Sequence, residues 1–517
     1  MAIKRYIATS DNTITDAFQV NLQTRGTGSN MGAADTLEAF YIYGQTSQGV
    51  GSGNQSGEKS RILIQFDVDK ISADRAAGLI PASGNISWYI NLYNAPHSFT
   101  LPKDFKMSIL PVSASWQEGR GLDMENYTDQ TYEGTGSNWI RRGASGDGLA
   151  AWTTTGGDFL EVEQVVSSSG FASYTASFTD GTEDLSVDVS EVVEKWLEGA
   201  TANYGFGVFM SSSYETGSYS YYTKKFFARS SEYFFLRPNL EARWDSSTKD
   251  DAAKFTLSSS ILTSDDNVNT LYLYNYVNGQ LKNIGNQHGS TVSLRLYSGS
   301  LDNTAPTGSA LKLPAGGNVA SDGNTKAIGG PVDVGIYTAS LAFNSSSIDT
   351  VFPVWAGKDG VTEIHTGSAL TVITHNASNN NPDPDYATTI DNLKAVYSPS
   401  EETRFRLFVR SKNWNPNNYT VMQTELPSEV IEDAYYSLYR IVDDYVVIPY
   451  GTGSSTQPQA EGTAGSYTRL SYDISGNYFD LDMKLLQAGY EYGLKFAYYS
   501  NGSYREQKEV FKFKVEE

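Results

Sequence analysis

Short alternations of apolar and polar residues recur from one end of this 517-residue chain to the other, and few folds accept that pattern. In Arg61-Ile62-Leu63-Ile64-Gln65-Phe66-Asp67-Val68, the side chains of Ile62, Ile64, Phe66 and Val68 fall on one side of an extended strand. Trp88, Ile90 and Leu92 repeat the spacing, as do Leu240, Ala242 and Trp244. Phe405, Leu407 and Val409 follow it, and so do Phe511, Phe513 and Val515 near the end. A period of two gives each strand one apolar face, which has to be buried against a second layer. The 35 Tyr, 23 Phe and 47 Gly supply strand and turn residues. The expected fold class is therefore all-β, and 517 residues are enough for several separate cores.

One helix interrupts the pattern. Ser190 suits an N-cap, Glu191 and Glu194 suit the first turn, and Val192, Val193, Trp196 and Leu197 form an apolar stripe. Gly199 stands where a left-handed C-cap belongs. Trp196 on that stripe is expected in the core rather than stacked on a ligand.

Two linkers divide the chain. Ser246-Ser247-Thr248-Lys249-Asp250-Asp251 ends a first domain over residues 1–245. Residues 252–375 then show short strands such as Leu271-Tyr272-Leu273-Tyr274, Val292-Ser293-Leu294-Arg295-Leu296 and Val332-Asp333-Val334-Gly335-Ile336. Gly/Asn/Ser clusters between them predict a smaller, immunoglobulin-like β-sandwich without the usual cysteine pair. The run from Asn376 to Asp385, with Pro382 and Pro384 and no large apolar residue, reads as an extended tether open to proteolysis. Residues 390–517 form the third domain, again a β-sandwich.

The first domain also carries motifs in a fixed order: Asn30-Met31-Gly32, the strand at 61–68, Trp116 with Glu118 and Gly119, and Asp188-Val189-Ser190. Trp196-Leu197-Glu198-Gly199, Asn203-Tyr204-Gly205-Phe206, Phe227 with Arg229-Ser230-Ser231-Glu232, and Arg237-Pro238-Asn239-Leu240 complete the series. That order resembles the DNRLRE domain family, which implies a jelly-roll-like β-sandwich of the kind found in carbohydrate-binding modules, surface proteins and some phage structural proteins. In the last domain, Tyr439-Arg440-Ile441 precedes Val446-Val447-Ile448-Pro449-Tyr450 and Tyr467-Thr468-Arg469-Leu470-Ser471-Tyr472-Asp473. Gly476-Asn477-Tyr478-Phe479-Asp480-Leu481-Asp482-Met483, Tyr490-Glu491-Tyr492 and Phe511-Lys512-Phe513-Lys514-Val515 follow. This pattern resembles a β domain of structural proteins in contractile-tailed phages of marine cyanobacteria.

Charge and residue type narrow the chemistry. A formal net charge of −21 repels polyphosphate, so no nucleic-acid partner is expected. The absence of cysteine removes disulfides, thiolate metal sites and a Cys nucleophile. Met1-Ala2-Ile3-Lys4-Arg5-Tyr6-Ile7 has no apolar signal core, and no run of about 18 apolar residues occurs, so neither signal-directed export nor membrane insertion is expected. His97, His288, His365 and His375 show no metal or catalytic spacing. Carboxylates are plentiful enough for chance pairs, and no catalytic residue is proposed on that basis. No cofactor is expected, although Asp265-Asp266, Asp383-Pro384-Asp385 or Asp443-Asp444 offer oxygen ligands to a structural Ca2+.

Two surfaces are candidates for binding. The Gly/Asp/Asn/Thr-rich excursion at 118–158 carries Trp139, Arg141, Arg142 and Trp152, types suited to a partner interface. Tyr219, Tyr221 and Tyr222 flank a Gly/Ser turn and are candidates for stacking on sugar rings. A second polar excursion spans Gly44 to Lys59. Together with the two resemblances, these features imply a non-enzymatic structural protein of the virion, in the capsid, neck, tail or baseplate, assembled in the host cytoplasm. Its partners would be other virion proteins in a symmetric oligomer. The alternative is a carbohydrate-binding adhesin for a host polysaccharide.

Overall fold

Alternation translates into antiparallel sheet wherever it is strongest. The computed structural model describes residues 2–44, 57–96, 101–122, 127, 136–143, 151–166, 172–285, 291–299, 306, 308–315, 317–320, 323–375, 384–412, 428–451, 466–500 and 502–517. The chain is all-β and multidomain, with paired sheets in sandwich-like arrangements. It divides into two compact units, one comprising Ala2–Asp245 with Tyr467 and the other most of the chain from Ser246 onward. The break after residue 245 coincides with the first expected linker, whereas the second and third expected domains share one unit.

The N-terminal unit contains strands β1 (Ile3–Ile7), β2 (Ser10–Thr15), β3 (Thr36–Tyr43), β4 (Gly57–Gln65), β5 (Ser87–Leu92) and β6 (Phe105–Pro111). They are followed by β7 (Tyr174–Phe178), β8 (Leu185–Asp188), β9 (Phe206–Met210), β10 (Tyr221–Phe227) and β11 (Asn239–Arg243). One sheet has the order β1-β11-β5-β8, and the other β10-β3-β4-β9-β6-β7 with β2 also paired to β4. Trp88, Ile90, Leu92, Leu240 and Ala242 are completely buried, as their spacing predicts.

Strand β4 departs from the expected pattern at both ends of the motif. Ile62, Leu63 and Ile64 are all fully buried, so both faces of the strand are covered. Leu63 packs with Ile14, Val112, Trp116, Trp139 and Trp152, which roof the face that Ile62 and Ile64 do not occupy. The strand stops at Gln65, and Val68 opens helix α1 (Val68–Ala76), because the Asp67 carboxylate accepts from the Lys70 N–H and caps it. The unit also holds helix α2 (Val162–Val166) and the expected helix, α3 (Ser190–Leu197), with Gly199 at φ +72° just beyond. Ser190 is the first helical residue rather than the cap; its hydroxyl accepts from the Trp88 N–H at 2.7 Å and donates to Asp188.

In the second unit, Val268–Tyr274, Ile336–Ala342, Ala327–Asp333, Val292–Ser298, Thr350–Gly357 and Glu363–Thr366 lie in that order in one sheet. The Val292–Ser298 and Ala327–Asp333 strands pair only through Val292–Gly329, Ser293–Ile328 and Leu294–Ala327. Leu271, Leu273 and Leu341 from one half share a core with Leu294, Leu296 and Trp355 from the other, so the sheet folds over on itself. The expected strand at 332–336 is instead a hairpin tip: Gly335 has φ +73°, and Val332 and Val334 are exposed.

The C-terminal part stacks two sheets. One is Tyr386–Ile390, Glu402–Ser411, Gly476–Asp482 and Ser471–Asp473; the other includes Val396–Tyr397, Phe511–Val515, Glu491–Ser500, Ala434–Arg440 and Tyr445–Ile448. Aromatic rings join them, with Tyr436 and Phe479 stacked at 4.3 Å and Phe405 at 6.0 Å from Phe513. Most of the expected tether, 376–383, lies outside the described residues, as does most of the excursion from Gly44 to Lys59.

Candidate functional site

Polar residues from distant parts of the N-terminal unit meet in one largely buried cluster. The guanidinium of Arg229, just past β10, clasps both oxygens of Glu118 at 2.5 Å. Glu118 also accepts the Asp11 N–H from β2 at 2.8 Å, and Asp11 accepts the Arg229 N–H at 2.6 Å. The Asn30 amide donates to the Glu118 and Ser137 carbonyls at 2.7 and 2.8 Å, and its oxygen accepts from Gly121 N–H at 2.9 Å. Asn12, also from β2, donates to Ser137 and accepts the Met31 N–H. Gly32 and Gly119 are required by contact. A Cβ on Gly32 would lie 2.2 Å from the Glu118 carbonyl oxygen, and one on Gly119 2.3 Å from the Asn30 side-chain oxygen.

Burial governs the charge of Asp11. Burial, reinforced by the nearby Glu118 charge, pushes Asp11 up to about 7, against the opposing Arg229 N–H. Glu118 keeps its ion pair with Arg229, whose own pKa that contact raises. Paired carboxyls in unlike surroundings are the combination that glycosidases use. Here both carboxyls accept from donors of the chain itself, and Asp11 is 1% exposed, so the cluster fastens one segment to another.

The segment it fastens contains the four residues expected at a partner interface, and the structure corrects that expectation for two of them. Trp139 and Trp152 are 7% and 4% exposed and sit in the core over Leu63, so neither indole is offered to a partner. The Trp152 indole N–H donates to the Asn138 carbonyl at 2.8 Å, and the Trp139 backbone accepts from Gly156 N–H at 2.7 Å. Arg61 lies over the Trp139 and Phe209 rings at 5.3 and 4.7 Å while pairing with Glu215 at 2.6 Å. A segment rich in Gly and Asp folded back because its indoles had an uncovered sheet face to fill. Arg141 remains exposed, and Arg142 is half-buried with one nitrogen on the Ser115 carbonyl at 3.2 Å.

The tyrosines divide in the same way. Tyr221 packs edge-on to Tyr214 at 5.1 Å, and Tyr222 edge-on to Phe40 at 5.3 Å. Tyr219 is 73% exposed and Tyr222 42%, at the sheet edge formed by β10. A separate shallow cavity of roughly 600 Å3 is lined by Asp67, Asp69, Thr201, Asn203 and the rim of Trp196. Trp196 is 5% exposed and packs on Phe206 at 4.7 Å, so it belongs to the core, as its helical stripe predicts.

Three of the expected metal ligands are engaged with other side chains, and Asp383 lies outside the described residues. Asp443 pairs with Arg440, Asp385 with Lys412, and Asp266 accepts from the Thr263 hydroxyl. Among the described residues no group of three or more His, Asp or Glu is placed to hold a metal ion, and no helix is long and apolar enough to cross a membrane. His365 and His375 are exposed in separate segments, and His97 and His288 lie outside the described residues.

Two polar residues escaped the sequence reading. Asp11 sits in an unremarkable polar run, Ser10-Asp11-Asn12-Thr13, with nothing to announce burial. Lys224 did leave a signal, because it shares a strand face with Phe226.

No known protein family and no curated protein sequence matches the chain. Among solved structures it is similar to trypsin-activated alpha-2-macroglobulin from Escherichia coli, at 8% identity and a TM-score of 0.16, over 90% of this chain and 23% of that one. The native conformation of E. coli alpha-2-macroglobulin is similar at 8% identity and a TM-score of 0.16, over 97% of this chain and 28% of that one. The chain spans about a quarter of the length of those proteins, and a likeness of this size carries no argument.

Proposed function

We propose that this chain is a non-enzymatic structural and assembly protein of a tailed-phage virion, built from β-sandwiches that dock to other particle proteins in symmetric copies. The observation that carries the reading is the use made of Asn30, Glu118 and Arg229. These polar residues come from separate parts of the N-terminal unit, and all three are closed into internal hydrogen bonds that brace a loop on a sheet. A brace of that kind favours a rigid scaffold over a reacting centre. The resemblance of residues 439–515 to domains of contractile-tailed phages supplies the virion setting. Arg141, exposed beside the buried indoles, is the loop residue best placed to meet a neighbour, with Arg142 next to it.

Mass spectrometry of purified particles tests the setting, since the chain should be present at a stoichiometry fixed by the particle's symmetry. Replacing Arg141 and Arg142 with glutamate should leave the melting temperature within a degree or so and abolish incorporation. Normal incorporation would remove the loop from the docking surface. A second reading, recognition of a host polysaccharide, is favoured by the exposure of Tyr219 and Tyr222 at a sheet edge. It predicts saturable signals on a glycan array that Tyr219→Ala eliminates.

A further inference from the structure

Lys224 is completely buried, yet among the described residues no carboxylate touches its ammonium. Its three hydrogen bonds run to neutral oxygens: the Asn94 side-chain carbonyl at 2.6 Å, the Gly181 carbonyl at 2.9 Å and the Glu183 carbonyl at 2.7 Å. The rings of Phe178 and Phe226 enclose it, their centres 4.9 and 4.8 Å from the nitrogen. Buried lysines are ordinarily paired with an acid, and one left without that compensation is driven toward its neutral form. Burial accordingly pushes the Lys224 amine down to about 8, against the weaker pull of Asp184 and Glu183. A desolvated neutral lysine is a nucleophile, and this one already touches the carbonyl of a carboxamide.

We propose that Lys224 and Asn94 form an intramolecular isopeptide bond. After the ammonium loses a proton to solvent, the lone pair of Nζ attacks Cγ of Asn94 and a new C–N bond forms. Collapse of the tetrahedral centre breaks the Cγ–Nδ2 bond. A proton from Nζ passes to the departing nitrogen, which leaves as ammonia, so no oxidant or cofactor is consumed. The product amide retains one N–H, which the Gly181 or Glu183 carbonyl accepts where the amine donated before.

The surroundings hold the pair in register. Asn94 forms an isolated antiparallel bridge with Phe226, Ala95 N–H donates to the Lys225 carbonyl at 3.0 Å, and Phe227 N–H donates to that of Tyr93 at 3.0 Å. The Asp184 carboxylate accepts the Asn94 backbone N–H at 2.7 Å and acts as a positioning residue. The bond would tie the segment following β5, a strand of one sheet, to β10, the edge strand of the other. A covalent brace between the layers suits a protein under mechanical load, but the inference stands on the buried contact of Lys224 with Asn94 and is independent of any virion role.

Intact-mass measurement of the full-length chain under denaturing conditions decides the matter. The expected mass is one ammonia below the sequence value, and digestion should yield a branched peptide containing both Asn94 and Lys224. Asn94→Ala and Lys224→Met should each restore the full mass of the substituted sequence, whether or not those variants fold. The wild-type chain at full sequence mass after prolonged incubation overturns the proposal. So does an ammonia loss that maps to a linear succinimide peptide or persists in Asn94→Ala.

Discussion

At the scale of single residues, the N-terminal unit pairs many of its charged side chains, and Asp11 is an acid that burial leaves poorly compensated. Asp11 is 1% exposed and its folded pKa is about 7. The unfolded value is about 4, so the native state binds the proton more tightly across that interval. For a raised acid, the stabilisation is complete below the unfolded pKa and is lost as pH rises through the folded one. The unit should therefore melt at progressively lower temperature between about pH 4 and pH 7 on account of this group. Asp11→Asn keeps an acceptor for the Arg229 N–H and removes the charge. It should flatten that slope and raise the melting temperature at pH 8, and an unchanged slope by calorimetry would show that Asp11 is not its source. The opposite change, Glu118→Ala, strands Arg229 beside Asp11 and should cost about 2–3 kcal/mol in chemical denaturation. Neither effect was legible in spacing. Arg229 and Glu118 are 111 positions apart and Asn30 and Glu118 are 88 apart, so no local pattern could join them.

Elements were legible in proportion to their amphipathicity. Helix α3 declared itself because Val192, Val193 and Trp196 bury one stripe, whereas α1 buries only Ile71 and reads as a polar strand end. What holds α1 is tertiary: Glu194 of α3 accepts both Arg75 nitrogens of α1 at 2.9 and 2.7 Å, and the Trp88 indole N–H at 2.8 Å. Glu194→Ala should therefore release α1 first, lowering stability by about 2–3 kcal/mol and abolishing hydrogen-exchange protection across 68–76. If exchange there is unaltered, α1 is held by something other than Glu194. Trp196→Ala removes the ring that meets Phe206 and should cost about 3–5 kcal/mol, read as loss of the whole N-terminal transition. The misplaced indoles of Trp139 and Trp152 follow the same logic at the level of layers. A loop composition suggested exposure, but β4 has two apolar faces, and the second had to be covered by something near in the chain. Leu63, between Ile62 and Ile64, was the visible sign that both faces are dry.

At the scale of the whole molecule, the sequence offers linkers at 246–251 and, most clearly, at 376–385, and the compact units divide at the first of them. Compactness separates the chain after residue 245 and unites the two later sandwiches. The first linker itself accounts for that union. Thr248 accepts the Tyr472 N–H at 2.9 Å and donates its own N–H to the Ser471 hydroxyl at 2.9 Å, while Asp250 N–H donates to the Tyr472 carbonyl at 3.1 Å. The Tyr472 hydroxyl donates to Asp251 at 2.8 Å, and Asp251 in turn accepts from Thr270 N–H at 2.7 Å in the middle sandwich. Chain that leaves the first unit is thus threaded along the third sandwich before it enters the second. A covalent cut between the second and third sandwiches should consequently leave them associated. With a specific protease site placed between residues 376 and 383, the cut chain should elute from gel filtration at the position of the uncut one and separate only in denaturant. Tyr472→Phe removes the hydroxyl bond to Asp251, worth about 1.5–3 kcal/mol for a charged acceptor, and should make the cut form dissociate at lower denaturant. Dissociation of the wild-type fragments in plain buffer would mean that the sandwiches meet only because the chain joins them.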